Sequence, residues 1–114
     1  MNVNREIARA TYAFLSELPP FNTWNLPEAD DVKFLVFRDK SMYAYYNRRR
    51  RRHIIGINQN IKTLHLLMHV MAHEMIHLYQ GTTGMETRAQ HNAAFHALAK
   101  RVTKEHGFDP MELI

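Results

Sequence analysis

The sequence predicts an α+β domain in which one helix, a small three-stranded antiparallel sheet and two further helices follow one another along the chain. Three observations carry that expectation. Apolar residues recur at helical spacing near the N-terminus and again through the second half. Three short runs rich in β-branched and aromatic residues lie between them. A length of 114 residues supports one core but not two.

In residues 4–18, Ile7, Ala10, Phe14 and Leu18 mark the inner face of an amphipathic helix, and Pro19-Pro20 prevents its continuation. Residues 21–31 have no regular period and read as a loop held down by aromatics such as Trp24. Strands are expected at 32–37, 42–46 and 53–58, and the linkers between them have hairpin length, which favours antiparallel pairing. Gly56, between Ile55 and Ile57, signals a bulge or a place where another backbone comes close.

From residue 63 to 80, Leu64, Leu67, Met68, Met71, Met75 and Leu78 form one apolar stripe, while Leu66, Val70 and Ile76 lie off it. A helix that is apolar nearly all round belongs at the centre of the domain. Gly81-Thr-Thr-Gly84 is expected to stop it. The last helix has a capping-box start at Thr87-x-x-Gln90, an inner face of Phe95, Leu98 and Val102, and an end at Gly107.

An apolar content of 46% and a charged content of 23% are those of an ordinary soluble globular chain. No apolar run approaches the ~20 residues needed to span a bilayer, and Met1-Asn-Val-Asn-Arg-Glu6 lacks the pattern of a secretory leader. A cytoplasmic, monomeric protein without membrane contact is the resulting expectation. The absence of cysteine excludes disulfides and thiolate metal sites, so a metal would be held by carboxylates or by some of the eight histidines. A net charge of +4 favours an anionic partner.

The central helix contains His73-Glu74-x-x-His77. Residues four apart stand one above the other on a helix face, so His73 and His77 can offer two nitrogens to one zinc ion at about 2.0–2.1 Å. Glu74, rotated by about 100° from His73, stands beside that ion and is the candidate general base. Zinc acidifies water and polarises a carbonyl, which is what amide hydrolysis requires. The competing reading is a pair of core histidines at helical spacing. Against it stands Glu74, which is costly to bury in an otherwise apolar helix unless it has a partner or a task.

Zinc needs a third protein ligand. A histidine six residues beyond His77 is excluded because Thr83 stands there. Glu86 and Glu105 are candidates, and His91 is the better one, since it lies four residues before Phe95 and shares its inward face in the first turns of the last helix. His96 is rotated away from it by about 140° and faces solvent.

"HEMIH", followed after a loop by "HNAAF", resembles the active-site signature of the SprT family, the zinc metallopeptidase domain of Spartan-type proteins. "HIIGINQNI" also resembles the strand and turn that lead into that family's metal helix, and the resemblance spans residues 32–108. It implies a minimal zincin-like domain, zinc held by His73, His77 and His91, and Glu74 as catalytic acid/base. It also implies endopeptidase activity on DNA-associated or DNA-crosslinked proteins. The chain departs from the family pattern at Asn92, where glycine is usual, and in having no cysteine zinc ribbon after the domain.

His65 and His69 extend the row of His73 and are read as packing or helix-surface residues, and His53 and His106 as surface or turn residues. Arg48, Arg49, Arg50, Arg51 and Arg52 form an expected hairpin tip beside Tyr43, Tyr45 and Tyr46. Guanidinium pairs with phosphate and tyrosine stacks on bases, so the arginines with Tyr45 suggest a platform for single-stranded DNA. In a zincin-like layout the strand carrying Ile55, Gly56 and Ile57 would be the sheet edge that receives a substrate peptide. Two other functions compete: a catalytically silent, zinc-stabilised nucleic-acid-binding module, and a metallohydrolase of a non-protein amide. No specificity pocket and no oxyanion-stabilising residue can be read from the sequence, although the three tyrosines are the candidates for the latter.

Overall fold

The computed structural model describes residues 1–84 and 91–107. Among them are three α-helices, α1 (Arg5–Ser16), α2 (Leu64–Thr83) and α3 (Ala93–His106), and three strands, β1 (Val32–Phe37), β2 (Ala44–Arg49) and β3 (Arg52–Asn58). The class is α+β, as the sequence predicts. None of the described helices is long and apolar enough to cross a membrane.

α1 starts at Asn4, whose side chain accepts the Ile7 N–H at 2.8 Å. Its buried stripe is Ala8, Thr11, Tyr12 and Leu15, one residue out of phase with the expected row, and Phe14 is 56% exposed. Tyr12 decides the phase. Its ring meets Phe34 edge-on at 5.5 Å and its hydroxyl donates to the Pro27 carbonyl, so this side chain can be buried without an unpaired polar atom. Residues 21–31 form two short 3-10 turns, and Trp24 stacks on Tyr79 of α2 at 4.5 Å.

The sheet corrects the expected pairing. Strand order is β1-β3-β2, with β2 antiparallel to β3 and β1 parallel to it, so the sheet is mixed. The cause lies in residues 38–43, which do not turn back as a hairpin but cross the end of β3. Asn58 holds them there. Its backbone N–H donates to the Tyr43 carbonyl at 2.8 Å, and its side-chain amide donates to the carbonyls of Met42 and Asp39. Only β2 and β3 form a hairpin, closed by Arg50 and Arg51 between the paired Arg49 and Arg52.

Ile55 and Ile57 therefore lie in the middle strand and face the core. Gly56 stands opposite Tyr45, and a Cβ added there would run into the Tyr45 ring, so what comes close is an aromatic ring rather than another backbone. Gly56→Ala is expected to push that ring aside and cost about 1–3 kcal/mol, read by urea denaturation. An unchanged midpoint would show that the ring lifts freely.

α2 begins at Thr63, whose hydroxyl accepts the Leu66 N–H at 3.1 Å. It runs through Gly81 and ends at Gly84, which takes the left-handed conformation at φ 72°. Leu67, Met71, Ala72, Met75, Ile76 and Leu78 are all fully buried, so this helix is the centre of the domain, as expected. α3 is capped by Asn92 and buries Phe95, Ala99 and Val102, with Leu98 partly covered. The capping box at Thr87 and Gln90 lies outside the described residues.

Candidate metal centre

Helical geometry places His73 and His77 one turn apart on α2, with their Nε2 atoms 3.2 Å apart. Two nitrogens bound to one tetrahedral zinc stand roughly 3.3 Å apart, so the pair already has ligand spacing. His91 brings its ring centroid to 5.1 Å from each of theirs. One ligand atom from each of the three lies within 4.8 Å of the others. An all-imidazole donor set at this spacing suits a divalent metal ion such as zinc.

His91 precedes α3 rather than lying in its first turns, and two features hold it near the pair. Buried Phe95 forms a floor, with ring centroids 5.0 Å from His73, 4.7 Å from His77 and 4.5 Å from His91. Asn92 Oδ1 accepts both the Phe95 N–H at 2.9 Å and the buried Gln80 amide of α2 at 3.0 Å. Asn92 therefore clasps the start of α3 to α2. Its φ of −77° requires no glycine, which accounts for the tolerated departure from the family pattern.

Burial, with His73 and His91 close by, lowers His77 to about 4. Burial followed by the neighbouring His96 also lowers His91. Both rings are thus neutral at pH 7, the form that binds a metal. Glu74 is 6% exposed, and burial raises its carboxyl to about 8. Glu74 and His73 line one cleft of ≈ 440 Å³, whose opposite wall is Tyr43 and Ala44 at the start of β2. Proton transfer next to a Lewis acid is the chemistry such a wall can perform.

Several expected residues fall elsewhere. Ile55, Gly56 and Ile57 cannot receive a peptide strand, because β3 is bonded on one side to β1 and on the other to β2. The edge strand beside the cleft is β2. Of the three tyrosines, Tyr43 lines the cleft, Tyr45 lies on the outer face of the sheet, and the Tyr46 hydroxyl is 2.7 Å from His53 Nδ1. His53 is therefore a buried residue of the middle strand, not a surface one, and His106 packs on Phe21 with centroids 5.8 Å apart. His69 is buried and lines the cleft, while its neighbour His65 is exposed at the rim. Glu105 sits in the last turn of α3, away from the cluster, and Glu86 lies outside the described residues.

The arginine run divides. Arg48 turns toward α2 and donates to the Gly81 carbonyl at 2.9 Å. Arg49, Arg50, Arg51 and Arg52 instead rim a groove of ≈ 710 Å³ on the outer face, with Lys33 and Tyr45. Alternation along β2 separates Arg48 from Arg49, and the turn at Arg50 and Arg51 brings Arg52 back opposite Arg49 on the same face.

Compared with known proteins, residues 16–112 match the SprT-like family. No curated protein and no solved structure matches the chain.

Proposed function

Since the chain belongs to the SprT-like family, which is associated with metallopeptidase-type function, we propose that it is a zinc-dependent endopeptidase acting on DNA-associated proteins. The observation that carries this reading is the buried carboxyl of Glu74 in the same cleft as His73, within a chain whose His73, His77 and His91 already stand at ligand spacing. A silent binding module would have no use for that carboxyl.

His73, His77 and His91 would hold the ion. When bound, zinc supplies Lewis acidity to the scissile carbonyl and to water. The charge of a bound cation would favour the carboxylate form of Glu74 against its burial. Glu74 then takes a proton from the attacking water and passes it to the amine nitrogen as the C–N bond breaks, so the carboxylate is regenerated with each turnover. Tyr43 lines the same cleft, and its phenol would supply a hydrogen bond to the carbonyl oxygen as charge grows there. The substrate chain lies along β2 and extends the sheet at that edge.

The outer groove contributes the nucleic-acid partner. Four guanidiniums and Lys33 around Tyr45 match a phosphate backbone with a base stacked on the ring. The test is cleavage of a basic DNA-binding protein by the zinc-loaded enzyme, with and without single-stranded DNA. Stimulation by DNA should be lost in Arg49→Glu/Arg51→Glu, and unstimulated cleavage by that variant should match wild type. DNA stimulation that survives both charge reversals would remove the groove from the proposal, and absence of cleavage under every condition would remove the peptidase.

A further inference from the structure

Resting on the endopeptidase reading, we infer that the cleft beside Glu74 is a side-chain pocket that selects a bulky apolar residue adjacent to the scissile bond. The sequence hides this pocket because its parts are far apart. One wall is the start of β2 and the other is a flank of α2, and the crossing of residues 38–43 over β3 is what brings them together.

Two rows run along that flank. Leu66, Val70 and Glu74 stand four residues apart, and beside them run His65, His69 and His73. At 1.5 Å per residue, Val70 lies about 6 Å from Glu74 along the helix axis and Leu66 about 12 Å. A side chain entering from a peptide bond at Glu74 therefore meets Val70 first, with Ala44 opposite, and a long one reaches Leu66. Ala44 is small, which is what leaves the space open.

Charge fixes the class of occupant. Among the described residues the lining holds no lysine or arginine to pair with an acidic side chain, and its one carboxyl is Glu74, at the catalytic end. A lysine or arginine would lose its hydration beside Val70 and Leu66 without a counter-ion of its own. A phenylalanine or leucine gains from leaving water there. Tyr43 in the lining is 59% exposed, and the residues next to the lining along the chain, Met42 and Leu64, are 45% and 58% exposed, so apolar surface adjoins these segments.

The experiment uses one peptide scaffold with Phe, Leu, Ala, Lys or Glu placed in turn on each side of the cleaved bond. Binding is read by fluorescence anisotropy on zinc-loaded Glu74→Gln, and cleavage on the wild type. At one of the two positions Phe and Leu should bind about tenfold or more tighter than Lys and Glu, with cleavage in the same order. Ala44→Phe should level that series. Leu66→Glu should raise Lys about tenfold relative to wild type, a gain that misfolding cannot imitate. Ranked binding without cleavage would keep the pocket and overturn the peptidase. Cleavage with a flat series, or with Lys preferred by the wild type, would overturn the pocket alone.

Discussion

Glu74→Gln should lower peptide cleavage on the order of 10²–10⁴-fold while zinc content stays that of the wild type. Glutamine has the size of glutamate but cannot take a proton from water, so the substitution removes the acid/base step and little else. Stability supplies the control. The Glu74 carboxyl is raised to about 8 because burial disfavours its charge, and a neutral amide avoids that cost. The variant should therefore melt no lower than the wild type in the metal-free state. Cleavage at the wild-type rate by pure, zinc-loaded Glu74→Gln would take the catalytic role away from this residue. Loss of zinc along with activity would mean that Glu74 acts on the ligands rather than on the substrate.

Zinc added to the metal-free protein at about a hundredfold excess over its dissociation constant should stabilise it by about 2.7 kcal/mol. For a domain of this size that corresponds to a rise of about 10 °C or more in melting temperature. His77→Ala should abolish the rise. His77 is the ring in which the site is most concentrated: its Nε2 is 3.2 Å from that of His73, and it is stacked on both His91 and Phe95. Alanine keeps the helix intact, so the comparison reads the lost ligand rather than a broken element. Differential scanning fluorimetry with and without zinc decides the matter. A full zinc-dependent rise in His77→Ala would place the metal elsewhere.

The metal pair was legible because its geometry is local: four residues along one helix suffice to put His73 beside His77. His91 was legible through its distance to Phe95, although it lies just before α3 and is kept there by Asn92 and Gln80, a contact between helices that no spacing reveals. The sheet order was missed for a physical reason. Residues 38–43 have a length that suits a hairpin as well as a crossing, and the hydrogen bonds of one side chain, Asn58, select the crossing. Yet a signal was present, since the unbroken run Ile54-Ile55-Gly56-Ile57 is what a strand covered on both faces looks like. In α1, two adjacent rows were both apolar enough to face inward, and the choice fell to the row holding Tyr12, whose hydroxyl finds the Pro27 carbonyl. The pocket escaped because half of it belongs to β2, which only tertiary structure brings to α2.

The crossing also orders events in time. β2 and β3 meet through a two-residue turn, whereas every β1 residue pairs with a β3 residue 21 positions later, from Val32 with His53 to Phe37 with Asn58. Closing the short loop costs far less chain entropy than closing the long one. The hairpin can therefore assemble within microseconds and wait, and β1 joins as the last strand, filling the edge of β3 that the hairpin leaves open.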